Sequence, residues 1–270
     1  MNLDSLRKYI DRKSQLLEVC STGFSQMDSM LRHNGLPTDV LMYVMAKSGT
    51  GKTYYATNWI YNVLMLGKKV VFFSYEMSRA SILDIVFSLH HDLTMKEIDA
   101  LTYEAEIDEL LINKDGVRIP IENLILYNKS QNVNQIEKIL ETEKPDYVFI
   151  DHVHLVKTVE KDLQYKTIEI SGSLREFKRE YNTRIIALIQ LNRSKQNEGD
   201  AFPTMTDMKG SSALEEDADI LLALKREDVK KPDAEPIIGA IFRKNRLSGK
   251  KQITMSWKYQ HGFSKLVEQI

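Results

Sequence analysis

The sequence predicts an α/β protein with a central, mostly parallel β-sheet flanked by helices. Three observations lead there. Segments of strand character alternate with segments of helical periodicity along most of the 270 residues. The apolar runs at residues 147–150 (YVFI) and 185–189 (IIALI) are too continuous for a strand with one wet face, so helices should cover both faces. A glycine-rich loop at residues 46–53 (AKSGTGKT) lies between an apolar run and a helical segment.

The elements follow in order. Residues 1–20 read as an amphipathic helical arm, with Leu3, Leu6, Ile10, Leu16 and Leu17 near helical spacing, and 21–270 as one domain. Residues 21–39 are rich in turn formers and lead into the short apolar run 41–46 (LMYVMA). After the glycine loop a helix runs through 53–66 and stops at Gly67. Residues 69–76 (KVVFFSYE) form a strand ending on an acid, 78–91 a helix, and the acidic stretch beyond it a further helix. Then come a short strand at 123–128, a helix at 133–143 and a buried strand at 146–151 (DYVFID). Residues 165–182 are helical, 184–192 (RIIALIQLN) a third buried strand, and 218–227 and 237–245 later strands. Trp59 and Trp257 sit among apolar residues and are assigned to the core.

Composition narrows the function classes. No stretch of eighteen apolar residues is present to span a membrane, and the acid-bearing start is no secretory leader, so a cytoplasmic protein is expected. A single cysteine, Cys20, allows neither an internal disulfide nor a cysteine metal cluster. Net charge is −1, but residues 225–258 hold ten Lys/Arg against four Asp/Glu, while 92–109 hold seven acids against one lysine. Such a basic segment can face phosphates or a partner subunit; it can equally be a solvated surface.

The chemistry concentrates at strand ends. Phosphates need inward-pointing backbone N–H groups, a lysine at the β/γ-phosphates and a hydroxyl on Mg²⁺. Ala46, Lys47, Ser48, Gly49, Thr50, Gly51, Lys52 and Thr53 supply that loop, with Gly51 and Lys52 on phosphate and Thr53 on metal. A metal-side carboxylate is then required, and Asp151 ends the buried strand 146–151. Glu76, at the end of a neighbouring strand, is placed to deprotonate an attacking water, and Gln190 to sense a γ-phosphate. His152 and His154 suggest a metal site, but without a fourth ligand they are assigned to packing.

The order AKSGTGKT, FFSYEMS, YVFIDHVHLV, IIALIQLNR, MKGSSALEEDADILL and FRKNR resembles the successive motifs of the DnaB family of replicative DNA helicases. The preceding TGFSQMDSMLRHNGL resembles that family's lead-in, and the match runs from Thr22 to Arg246. The resemblance implies a RecA-like motor domain that hydrolyses ATP with Mg²⁺. It implies a homo-hexameric ring moving single-stranded DNA in a 5′–3′ sense, with a primase or helicase loader as a partner. Lys244 and Arg246 match the trans-acting pair that reaches a neighbour's γ-phosphate. Lys209, Gly210 and Ser211 match the DNA-binding loop of the central channel, with Arg193 assisting. The family's N-terminal collar domain is not among these residues. A relative without unwinding activity, or a truncated homologue assembling with a full-length helicase, are the alternatives.

Overall fold

A nine-stranded sheet of order β3-β2-β4-β5-β1-β6-β7-β8-β9 organises the chain. Its strands are β1 (Val40–Lys47), β2 (Val70–Ser74), β3 (Leu124–Tyr127), β4 (Tyr147–Asp151), β5 (Arg184–Leu191), β6 (Ile220–Glu227), β7 (Ile237–Asn245), β8 (Met255–Tyr259) and β9 (Leu266–Glu268). This computed structural model describes residues 3–7, 10, 18–101, 107–191, 202–207, 211–227, 236–249, 255–259 and 265–269. The six strands from β3 to β6 in the sheet order run parallel. The last three add antiparallel. A mostly parallel sheet is expected from the sequence, and it is found.

Helices α1 (Ser25–Met30), α2 (Lys52–Met65), α3 (Arg79–His91), α4 (Met95–Leu101), α5 (Ile107–Leu111), α6 (Val133–Glu143), α7 (Leu163–Glu180) and α8 (Ser211–Asp217) complete the fold. Successive side chains of each strand point to opposite faces, so every central strand feeds two cores. On one face Met42, Val44, Phe72, Phe149 and Leu188 meet α2 and α3 through Trp59, Val63 and Ile82. On the other, Tyr43, Val71, Ile150 and Ile189 meet α6 and α7 through Leu140, Ile170 and Leu174. The continuous apolar runs in the sequence are the direct record of this double burial.

Local signals set the helix ends. Asn132 and Gln135 form a reciprocal capping box at the start of α6. Ser78 caps α3 by accepting from Ser81 N, and Asp162 caps α7 through Gln164 N and Tyr165 N. Helix α2 gives way to Gly67, whose positive φ of 73° a β-carbon would disfavour.

Four features depart from expectation. Residues 25–30, read among turn formers, are helix α1; Asp28 accepts Thr22 N at 2.9 Å and Thr22 Oγ1 at 2.8 Å, anchoring the segment. Strands β8 and β9 are not anticipated by the sequence reading. Strand β2 ends at Ser74, so Glu76 lies two residues beyond it rather than at its last position. The arm boundary also moves: Cys20 is buried and bridges Leu36, and Glu18 O accepts from the buried Arg184 Nη2 at 2.6 Å. Of the segment before it, residues 3–7 are helical, with Leu3, Leu6 and Ile10 exposed.

The two ends of the domain close on each other. Gln26 N donates to Glu268 Oε1 at 2.8 Å, and Leu266 N to Asn58 Oδ1 at 2.9 Å. Phe24, Tyr55 and Trp257 pack with ring centroids 5.1–5.4 Å apart. Both tryptophans are fully buried, as expected.

Trp59 spans from α2 to the sheet, edge-on to Phe149 at 5.7 Å. Trp59→Ala should therefore lower the unfolding free energy by about 3–5 kcal/mol. Urea unfolding measures it, and a loss under about 1 kcal/mol would mean that Trp59 is not a core strut.

Candidate nucleotide-binding site

The carboxyl ends of the parallel strands gather the candidate residues around one cavity of about 430 Å³. Its lining includes Ser48, Gly49, Gly51, Lys52, Thr53, Glu76 and Gln190. Strand β1 delivers the loop, and α2 begins immediately after it at Lys52. Gly49 and Gly51 have φ of 78° and 97°, so the tight turn needs residues without a β-carbon. Helix α2 starts directly after Gly51, and the backbone dipole at its N-terminus favours an anion.

Lys52 is 6% exposed, with Nζ 3.4 Å from Lys47 O. Burial pulls its pKa down; Asp151 and Glu76 pull it back up. Parallel register aligns Ala46 with Gln190 and Ser74 with Asp151, so the glycine loop, Gln190 and Asp151 all lie at one edge of the sheet.

Thr53 Oγ1 donates to Asp151 Oδ2 at 2.5 Å. The other oxygen, Asp151 Oδ1, is buried and has no hydrogen-bond partner among the described residues. Burial is the main cause that pushes the Asp151 carboxyl up to about 6, and Glu76 adds to it; Thr53 and Lys52 oppose it. A buried carboxylate oxygen without a partner, beside a hydroxyl, offers oxygen donors of the kind hard cations prefer.

Glu76 Oε1 lies 3.1 Å from His152 Nε2. Burial, with Lys52 and Lys166 nearby, holds His152 down to about 4. The imidazole is therefore neutral at physiological pH. His152 packs edge-on against His154 at 5.8 Å and in addition lies against the candidate base, a contact that no sequence spacing indicates. Tyr54, Met77, Met95, Arg226 and Pro236 also line the cavity and are not singled out by the sequence. They come from separated segments that only the fold unites.

Lys244 and Arg246 do not line this cavity. Lys244 Nζ hydrogen-bonds Glu215 O, and Arg246 Nη2 reaches Glu216 O at 3.0 Å, so both cations sit on the carbonyl end of α8, where the helix dipole welcomes them. Ser211 is the first residue of α8. Arg193, Lys209 and Gly210 lie outside the described residues.

A parallel sheet with a glycine loop feeding a helix, a lysine, a hydroxyl and a strand-end aspartate defines a P-loop nucleotide-binding domain of the RecA-like class. The chain belongs to the DnaB-like helicase C-terminal domain family, whose model matches residues 20–266. Among relatives, a probable plasmid replicative DNA helicase of Chlamydia psittaci is 28% identical over 245 residues, 87% of this chain and 52% of that protein. The replicative DNA helicase DnaB of Helicobacter pylori is 31% identical over 227 residues, 79% of this chain and 45% of that protein. The chain thus spans about half the length of the curated relatives it matches. One solved structure, of an ATPase domain, superposes with a TM-score of 0.80 at 24% identity, covering 99% of this chain and 97% of that one. A DnaB-like replicative helicase solved in a study of its interactions with primase gives 0.80 at 23% identity, covering 99% and 68%. The RecA-like fold expected from sequence is the fold found.

The burial of Asp151 carries a cost in stability. Its native carboxyl holds a proton more tightly than an unfolded aspartate does, so the ionised form is the one that destabilises the fold. That penalty is absent below the ordinary aspartate range and grows as pH rises through about 6. Without nucleotide or metal, Asp151→Asn should melt at a higher temperature than the natural chain at pH 8, and the gap should close by pH 4. Equal midpoints at pH 8 would mean that the carboxylate is not under strain.

Proposed function

We propose that this chain is the ATP-hydrolysing motor domain of a replicative DNA helicase, working as a ring of subunits on single-stranded DNA. The observation that carries the reading is the joining of Thr53 to Asp151 beside Lys52, with Glu76 and Gln190 on the same cavity. Family membership supports DNA as the substrate of the motion.

In this reading the loop of residues 46–51 and the N-terminus of α2 bind the β- and γ-phosphates, and Lys52 neutralises their charge. Thr53 Oγ1 and Asp151 would hold Mg²⁺, which supplies charge neutralisation between the phosphates; the unpartnered Asp151 Oδ1 fits that donor set. Glu76 orients water and takes its proton, and Gln190 contacts the γ-phosphate. Lys244 and Arg246, away from their own cavity, serve the site of an adjacent subunit. Lys209, Gly210 and Ser211, helped by Arg193, grip the phosphates of single-stranded DNA without reading sequence. The assembly is a homo-hexamer with 5′–3′ translocation and a primase or loader as its partner, in the cytoplasm.

Phosphate release with and without single-stranded DNA tests the reading. The natural chain should hydrolyse ATP faster with DNA, Lys52→Ala should be inactive, and Glu76→Gln should bind ATP yet turn over about 10²- to 10⁴-fold more slowly. Full turnover by Lys52→Ala would show that the cavity is not the hydrolytic site. DNA binding absent even at low salt would remove the helicase assignment and leave an ATPase of another kind.

Trans action is tested by mixing. Arg246→Ala protein should bind nucleotide almost normally and hydrolyse none. Adding Lys52→Ala protein should restore part of the activity, because some interfaces then pair an intact loop with an intact arginine. Co-assembled mixtures that stay inactive would place Arg246 outside the reaction.

A further inference from the structure

Glu76 is poorly held by its own segment. It lies two residues past β2 on no regular element, and its side chain is 37% exposed. A glutamate with three free torsions in a loop spends much of its time misaimed, which weakens it as a base even when its chemistry suits the task.

His152 has the opposite character. It follows the last residue of β4, its side chain is only 12% exposed, and its ring lies edge-on to His154 at 5.8 Å. The two segments are locked in register: Ser74 pairs with Asp151, and Tyr75 N donates to Asp151 O at 2.8 Å. The largely buried imidazole thus stands against the more exposed carboxylate, with His152 Nε2 3.1 Å from Glu76 Oε1. The Nδ1 edge of the ring has no hydrogen-bond partner among the described residues, so Glu76 is the polar contact that orients it.

We propose that His152 is a positioning residue for hydrolysis: its Nε2–H fixes one oxygen of the Glu76 carboxylate and leaves the other to face the attacking water. The proposal rests on the assignment of Glu76 as the base. His152 also directly follows Asp151, so one strand end places the carboxylate proposed for the metal and, through the imidazole, the group that activates water.

The experiment uses the full chain with four changes: His152→Leu, His152→Gln, Glu76→Ala and the double variant His152→Leu/Glu76→Ala. Single-turnover phosphate release and binding of a fluorescent ATP analogue are measured on each. His152→Leu should slow release by about 10- to 100-fold, the scale of a reacting group misplaced by about an ångström, with affinity within about twofold of the natural chain. His152→Gln keeps a donor near the same position and should recover most of the rate. In the Glu76→Ala background His152→Leu should cause no further loss.

Three results would overturn the proposal: the same loss with and without Glu76, a parallel fall in nucleotide affinity, or Leu and Gln variants equally slow. The last would mean that ring packing matters and the donor does not. Natural turnover by Glu76→Ala would remove the base itself and the proposal with it. An inactive Glu76→Ala beside a fully active His152→Leu would leave the base in place and remove only the role of His152.

Discussion

The hydrogen bond from Thr53 to Asp151 ties together the two halves of the site, and much of the architecture exists to make it possible. Asp151 has no solvent exposure, and a carboxylate in that setting is stabilised only by what the fold puts around it. Thr53 satisfies one oxygen and Lys52 lends a nearby charge. Both belong to the first turn of α2, so the helix must arrive at one place on the sheet with one rotation. Parallel pairing of β4 with β2 and β5, and of β5 with β1, fixes that place. The two apolar cores then bear the cost of keeping an ionisable group dry.

The antiparallel strands have a different task. Strands β7, β8 and β9 extend the sheet beyond the parallel block, and β7 carries Lys244 with Arg246 just after it. Both side chains rest on carbonyls at the end of α8 rather than in the cavity. Burial and the neighbouring Arg246 lower the pKa of Lys244, which a cation parked on uncharged carbonyls readily allows. The strands thus hold a second set of charges apart from the first, on the same rigid sheet.

Strands β1, β2 and β4 to β7 are legible because burial on both faces writes an apolar run, and α6 because Asn132 and Gln135 sit three apart ahead of helical periodicity. Strands β8 and β9 are not. Met255 and Trp257 alternate with Ser256 and Lys258, but such a pattern over five residues is too short to stand out. Helix α1 hides for a related reason: its serines and aspartate look like turn residues, while Met27 and Met30 supply the buried face. Within the site, acids and an amide at strand ends can be read in advance, since a parallel sheet presents its ligands there. The contact between Glu76 and His152 cannot, because it depends on register between strands far apart in the chain, and neither residue announces the other.

The closure of α1 and α2 against β8 and β9 bears on how the chain is made. Gln26 and Glu268 are 242 positions apart, and Trp257 completes a ring cluster whose other members are Phe24 and Tyr55. During synthesis those early aromatics leave the ribosome long before their partner exists. The parallel block can collapse on contacts already available, but this face stays open until the final strands emerge. Loop-closure entropy across so long a span makes the seam a late event in folding, and leaves an apolar patch for chaperones to shield in the meantime.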